Sequence, residues 1–218
     1  LYCMTYTNVK KILIKIFIFV EMEKQGSCLW GKIRTRGFMK LETTRLFIRD
    51  YQPSDFDTVH HYGQDPDVLR YMLWGPNRIE DTQAFIDSAT WESQAEPRTT
   101  FNLALIDKET HSLIGGISLT RDHDKAEIGW ILDQRAWGKG YATEAAQCLI
   151  RFGFETLGLT SIYATCDAEN IASYKVMLKC AMTQIRVDKE ARLSPHLSPV
   201  LRDQRLFEIT RSTYLSLE

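Results

Sequence analysis

Apolar positions along this chain change period several times, and each change marks an element. LETTRLFIRDYQ sets Leu46 and Ile48 against Arg45 and Arg49, the two-residue period of a half-buried strand. Pro53-Ser54-Asp55 then predicts a helix start, with Ser54 as the cap and Asp55 at the positive end; that helix runs to about His61. DPDVLRYMLWGP makes a second short segment ended by Gly75-Pro76. Residues 79–94 place Ile79, Phe85, Ile86 and Ala89 at helical spacing. FNLALID and SLIGGISL are two strands joined by Lys108–His111, most simply as a hairpin, and AEIGWIL is the next strand. Helical spacing returns in YATEAAQCLIRFGFETLGL, where Ala142, Ala145, Ala146, Leu149, Ile150 and Phe154 share one face. SIYATCD is a further strand, and Ala168–Cys180 a helix entered through Asn170. MTQIRVD and QRLFEIT close a sheet, with a Pro-containing loop at Ser194–Pro199 between them. No repeat, low-complexity tract or linker interrupts residues 39–218, which read as one α+β domain with Met39 as a natural start.

Residues 1–38 have a different texture. Ile12–Val20 is apolar except for Lys15, and a run of nine is too short to span a bilayer. Lys10 and Lys11 precede it as in a signal peptide, but EMEKQG follows, with no small-x-small cleavage site. A lipid anchor at Cys28 is disfavoured because Gln25 stands where an apolar residue is wanted. The segment is read as a leader of non-native or upstream origin. Ordered, it would add an edge strand or a short helix.

Composition narrows the function classes only modestly. With 218 residues, 44% of them hydrophobic and 25% charged, the chain supports one well-buried domain of ordinary globular make-up. A formal net charge of −1 gives no reason to expect nucleic acid or an anionic membrane as partner. Five cysteines without a C-x-x-C pair argue against a disulfide framework and against a zinc site, and suit a reducing cytoplasm. The histidines form no ligand pattern either, so no metal is expected.

Candidate chemistry concentrates in Ala126–Ala145, AEIGWILDQRAWGKGYATEA. A short apolar strand leads into Arg135, Gly138 and Gly140 in the spacing R-x-x-G-x-G, and a helix begins directly afterwards. Strand, glycine turn and helix N-terminus together bring unpaired backbone N–H groups and the positive end of a helix dipole to one spot. Glycines there let a bulky phosphate approach the backbone, and Arg135 and Lys139 add positive charge. A phosphate-bearing ligand is therefore expected at this turn. A P-loop nucleotidase would need G-K-[ST] after the glycines, and a dinucleotide fold a third glycine and repeated βαβ units.

This stretch, followed by SIYATCDAENIASYKVMLKCAM, resembles the GNAT superfamily of acyl-CoA-dependent acyltransferases. The closer similarity is to its RimJ/RimL-type branch, where R-x-x-G-x-G follows the fourth strand and N-x-x-S opens the next helix. TTRLFIRDYQPSDF also resembles the first strand and helix of that branch, so the likeness covers roughly residues 40–211. The resemblance implies the α+β GNAT fold: a mixed central sheet with splayed parallel strands, here Glu127–Leu132 and Ile162–Cys166, and flanking helices. It implies acetyl-CoA as donor. Pantetheine carries two amides, so an open edge at Ile131, Leu132 and Asp133 can pair with it as an added strand. The pyrophosphate would rest on the N–H groups of Arg135–Ala142, which include Gly138, Lys139, Gly140 and Tyr141.

Acetyl transfer from a thioester to an amine needs a group to take the amine proton, donors for the oxyanion, and an acid for the departing thiolate. The resemblance gives the oxyanion a strand N–H near Ile131. Glu127 lies on the same strand face and is the candidate base; the alternative is a carboxylate that supports the sheet. Asn170, Ser173 and Met177 share one helical face. Many superfamily members place a tyrosine near Met177, which cannot donate a proton, so Ser173 is the candidate acid, with Tyr174 as substitute. Asn170 is expected to contact pantetheine and cap its helix. KCAM at Lys179–Met182 puts Ala181 where the family usually has glycine. Tyr71 and Trp74 precede a Gly-Pro break where the family binds the acceptor, while Trp91 is expected in the core and Trp137 beneath the turn.

The resulting expectation is a cytoplasmic, acetyl-CoA-dependent N-acetyltransferase working by direct transfer in a ternary complex. No cysteine is placed for a covalent acetyl-enzyme; Cys148 is mid-helix and Cys180 ends one. Its acceptor is a protein N-terminus or a small amine, and the oligomeric state is left open, a homodimer included. The alternative is a non-catalytic acyl-CoA-binding sensor or scaffold.

Overall fold

A computed structural model describes residues 39–197 and 200–217. The reading of residues 1–38 as a leader, and the end of the Ser194–Pro199 loop, therefore lie outside the described residues. Chain order is β1 (Lys40–Glu42), β2 (Leu46–Asp50), a 3-10 turn at Pro53–Asp55, α1 (Phe56–Tyr62), α2 (Pro66–Leu69) and α3 (Ile79–Ser93). Then come β3 (Thr100–Asp107), β4 (Leu113–Asp122), β5 (Lys125–Leu132), α4 (Tyr141–Glu155) and β6 (Ser161–Asp167). The chain closes with α5 (Ile171–Lys179), β7 (Thr183–Leu193), β8 (Leu201–Thr210) and α6 (Arg211–Leu215).

The strands form one sheet in the order β1-β2-β3-β4-β5-β6-β8-β7. Every neighbouring pair is antiparallel except β5 and β6, which run parallel. Period-two alternation distributes side chains to two cores. Leu103 and Leu105 of β3 and Ala126 and Ile128 of β5 join Leu149 and Phe154 of α4 on one face. Ala104 and Ile106 of β3 turn to the other face, against Tyr51, Val59 and Tyr62 and against Ile86 and Ala89 of α3. The α4 face expected from spacing is buried throughout; each fully covered Leu or Phe there contributes roughly 1.5–3 kcal/mol.

Several local expectations need correction. LETTRLFIRDYQ is not one strand, because the chain turns at Thr43. The Thr43 hydroxyl accepts from the Leu46 N–H (2.9 Å) and donates to Glu144 of α4 (2.6 Å), so a side chain takes over the ladder's bonding there. Ser54 does not cap α1. Asp55 stands at the cap position but makes no side-chain cap bond to α1; it closes the 3-10 turn before it, accepting from the Gln52 N–H (2.8 Å) and pairing with Arg49 (2.7 Å). Ile79 is 63% exposed and Trp91 74% exposed, so neither belongs to the core. The sequence pattern gave no sign of α6, which starts at Thr210 where the side chain accepts from the Thr213 N–H (3.2 Å).

Ala181 follows α5 with φ +56°, the left-handed conformation that glycine tolerates and a Cβ does not. That explains why glycine suits this position. Ala181→Gly removes a strain of ~1–2 kcal/mol but adds freedom to the unfolded chain worth ~0.4–1 kcal/mol. The expected net gain is about 0.5 kcal/mol, read as a rise in Tm of roughly 1–2 °C. A lower Tm would mean that the Ala181 methyl packs better than the backbone argument allows.

Candidate active site

The glycine turn has the form expected of an anion cradle. Asp133, buried at the end of β5, accepts from the Arg135 N–H (2.9 Å) and from its guanidinium (2.8 and 2.7 Å), which pins the start of the turn. The Arg135 guanidinium holds the Asp133 carboxyl below the usual carboxylate range. The pair therefore stabilises the turn fully above the ordinary carboxylate pKa, and that contribution is lost as pH falls through the lowered value. Gly138 and Gly140 have φ +73° and +83°, and a Cβ on Gly138 would meet nothing within 4 Å. Gly138, Lys139, Gly140, Tyr141 and Ala142 present N–H groups that no backbone carbonyl among the described residues accepts. Arg45 closes the far side, donating to the Lys139 carbonyl (2.8 Å) and pairing with Glu144 (2.6 Å).

Beside the turn the sheet comes apart. Parallel pairing of β5 with β6 covers only Lys125↔Ser161, Ala126↔Ile162 and Glu127↔Tyr163, after which the strands part. The rest of β5 is paired on one side only, with β4, in unbroken register from Lys125↔Asp122 to Leu132↔Gly115. Which amides reach the open side follows from alternation along an antiparallel pair. The Asp133 N–H donates to the Ile114 carbonyl (3.0 Å), so Ile131, Gly129 and Glu127 are also bonded to β4. Ile128 still bonds β6 at the last paired position, so the open edge consists of Trp130 and Leu132. Sequence reasoning placed Ile131, Leu132 and Asp133 on that edge; Leu132 is there, whereas the Ile131 amide faces β4 and the Asp133 N–H is bonded to Ile114.

A cavity of about 810 Å³ opens at this gap, on the sheet face covered by α1 and α3. Its floor is a grid of facing residues: Glu127 opposite Thr120, Gly129 opposite Ser118, and Ile131 opposite Gly116, with Asn102 of β3 beyond Ser118. Gly116 has no side chain to spare, since a Cβ there would collide with the Tyr51 hydroxyl. Tyr51 and Tyr62 share a hydrogen bond (3.3 Å) at the cavity wall. Burial raises the Tyr51 hydroxyl to about 12 and that of Tyr62 well above its usual value, so both stay protonated and can only donate or accept hydrogen bonds.

Glu127 stands at the fork where the strands part, exposed to the cavity, and accepts a hydrogen bond from Thr165 Oγ1 (3.2 Å) on β6. Asn170 and Ser173 line the same cavity from α5, with Met177 beneath them. Asn170 Oδ1 accepts from the Ser173 N–H (3.0 Å), the expected cap. The Ser173 hydroxyl has no hydrogen bond among the described residues, so it is not tied to its preceding turn. Trp74 lines the cavity too. Tyr71 does not: its hydroxyl reaches the Glu169 carbonyl (3.4 Å) and its own carbonyl accepts from Arg192 (3.0 Å). Trp137 is 44% exposed and straps the turn from outside, donating from Nε1 to the Leu132 carbonyl (2.9 Å). Of the remaining residues singled out from sequence, Tyr141 anchors its helix through a hydroxyl bond to Asp107 (3.1 Å). Arg192, Asn102 and the tyrosine pair went unnoticed. They lie on elements far apart in sequence, and only the sheet order brings them together.

A parallel pair split beside a glycine-turn anion cradle defines an acyl-coenzyme-A-binding transferase fold. The acetyltransferase (GNAT) domain model matches residues 45–183, and the chain belongs to that family. It is an N-acetyltransferase. It is 36% identical over 146 residues, 66% of this chain and 82% of the relative, to the Bacillus subtilis (strain 168) protein named "Uncharacterized N-acetyltransferase YnaD". An acetyltransferase (GNAT family) from Bacillus anthracis superimposes with a TM-score of 0.70 at 30% identity, over 80% of this chain and 99% of that one. The Vibrio cholerae spermidine N-acetyltransferase, solved in complex with CoA and spermine, has the same fold, with a TM-score of 0.68 at 19% identity over 79% and 99% of the two chains. Among the described residues no helix is long and apolar enough to cross a membrane, and no cluster of His, Cys, Asp and Glu suits a metal ion.

Proposed function

We propose that this chain, a member of the RimJ/RimL-type branch, moves the acetyl group of acetyl-CoA directly to a primary amine in a ternary complex. The observation that supports this best is the placement of Glu127 at the fork between β5 and β6, facing the cavity, one gap away from the glycine turn. The residues fit the coenzyme. The unpaired N–H groups from Gly138 to Ala142 suit a pyrophosphate, and the Trp130 and Leu132 edge suits the pantetheine amides. Acetyl-CoA supplies an activated acyl carbon and a thiolate leaving group.

The chain's own groups divide the remaining work. An edge N–H of Trp130 or Leu132 polarises the thioester carbonyl and holds the charge that develops on its oxygen. Glu127, oriented by Thr165, takes the proton from the amine directly or through one water. Ser173 gives a proton to the departing sulfur. Cys166 also lines the cavity, but burial pushes its thiol up to about 11, so it is a thiol rather than a thiolate and the acetyl group is not relayed through it. Release of free coenzyme thiol in the presence of acetyl-CoA and a panel of amines and peptides tests the reading; release that depends on no added amine would sink it. Ser173→Ala should lower kcat by about 10²-fold, the low end of the range for a general acid, because a coenzyme thiolate already leaves readily. Loss of acetyl-CoA affinity in that variant, with kcat unchanged, would move Ser173 from proton transfer to coenzyme binding.

A further inference from the structure

One cavity-lining group has no place in the chemistry just described. Arg192 comes from the far end of β7 and lines the cavity. Its Nε is shielded from solvent and has no acceptor, and the guanidinium makes a single hydrogen bond among the described residues, Nη2 to the Tyr71 carbonyl (3.0 Å). An arginine has five N–H donors, so most of its capacity is unspent. The charges of Asp167 and Glu127 reach Arg192, but neither carboxylate is hydrogen-bonded to it. Asp167 is gripped by Arg202 (2.5 and 3.3 Å), Glu127 accepts from Thr165 (3.2 Å), and Asp81 is held by Arg78 (3.1 Å). Arg205 turns away, onto the Ala168 carbonyl (3.1 Å) and Gln184 (3.1 Å).

We propose that Arg192 is a specificity residue that binds the carboxylate of the acceptor, so that the acceptor is an amino acid or a similar small amine bearing a carboxylate. This rests on the amine-acetylation reading above. Charge complementarity chooses the class. Asp81 pairs with Arg78 at the rim, and among the described residues that line the cavity Arg192 is the cation and Glu127 the carboxylate at the reacting end. An ammonium near Glu127 and a carboxylate on Arg192 match both. A polyamine would bring a second ammonium against the guanidinium, and a phosphate dianion would leave a surplus negative charge beside Glu127 and Asp167. A guanidinium is also the side chain best shaped to hold a carboxylate by two parallel bonds. Burial pulls the Arg192 pKa below the ordinary arginine value, although the charges of Asp167 and Glu127 oppose it, and a bound carboxylate would offset that desolvation further.

The experiment compares thiol release by the full chain, at saturating acetyl-CoA, with free L-amino acids, their carboxamides, and putrescine and spermidine. The amino acids should have KM values about 10–100-fold below those of their amides, and the polyamines should be poorer still. Arg192→Gln should close the gap between acid and amide to within about threefold. Arg192→Lys should restore part of it, because charge returns without the fork. An unchanged acetyl-CoA thermal shift in both variants shows that they are folded. Wild-type enzyme that uses amides or polyamines as well as amino acids overturns the assignment while leaving the acetyltransferase intact. No acetylation of any amine overturns both.

Discussion

Glu127→Gln should lower kcat/KM by about 10²–10⁴-fold, the usual contribution of a positioned general base. The substitution keeps the size and shape of the side chain, and its amide oxygen can still accept from Thr165, so the fork between β5 and β6 is preserved. What disappears is the capacity to take a proton. The acidic limb of the pH–rate profile, which reports ionisation of the base, should vanish with it. Acetyl-CoA affinity should not change, because the contacts proposed for the coenzyme lie at the turn and along the Trp130–Leu132 edge. A Glu127→Gln enzyme with the wild-type pH dependence would assign this carboxylate to the sheet and leave amine deprotonation to bulk water.

The second large effect concerns the turn. Acetyl-CoA at about one hundred times its Kd should stabilise the folded chain by about 2.7 kcal/mol, a rise in Tm of roughly 5–10 °C for a domain of this size. Gly140→Val and Gly138→Val should abolish that shift. The new side chain fills the space above the unpaired N–H groups, the place proposed for the pyrophosphate. Both positions are left-handed, so a β-branched residue also costs ~1–2 kcal/mol of backbone strain, and the unliganded Tm falls somewhat. Gly158 supplies the matched control: it has φ +68°, open space around its Cα, and no part in the turn. Gly158→Val should carry the same backbone cost and keep the full coenzyme shift. Equal loss of the shift in all three variants would show a folding defect rather than a blocked site.

What the sequence reveals about this protein is what depends on neighbours along the chain. The glycine turn, the buried stripe of α4 and the Asn170 cap are each local patterns, and each is found where the periodicity puts it. The break at Thr43 is a local turn, closed by bonds between Thr43 and Leu46, but a distant partner holds it as well. That partner is Glu144, 101 residues away, whose carboxylate binds the Thr43 hydroxyl and, from 99 residues away, the Arg45 N–H. The open edge of β5 fails for a related reason. Alternation of side chains shows which residues share a face, but the direction of each amide depends on register with β4. Hence the sequence points to Ile131, Leu132 and Asp133, while Trp130 and Leu132 present the unpaired groups. Trp91 and Ile79 show the limit of composition as a guide: apolar residues at helical spacing still lie on an open surface where α3 has no neighbour on that side. Arg192 is the least legible of all. It lies in a mostly polar edge strand, and nothing near it in sequence hints that it ends in a cavity lined by Glu127 and Ser173.

The central claim is that one molecule of acetyl-CoA is consumed for each amine acetylated, at the gap between β5 and β6. The most direct measurement mixes the full chain with acetyl-CoA and a defined set of amino acids, amides, polyamines and short peptides, then follows free thiol and acceptor mass together. The account predicts thiol release matched one for one by an acetylated amine, and no acetyl group left on the protein. Coenzyme binding without any acetylated acceptor, or an acetyl group found on Cys166, would contradict it.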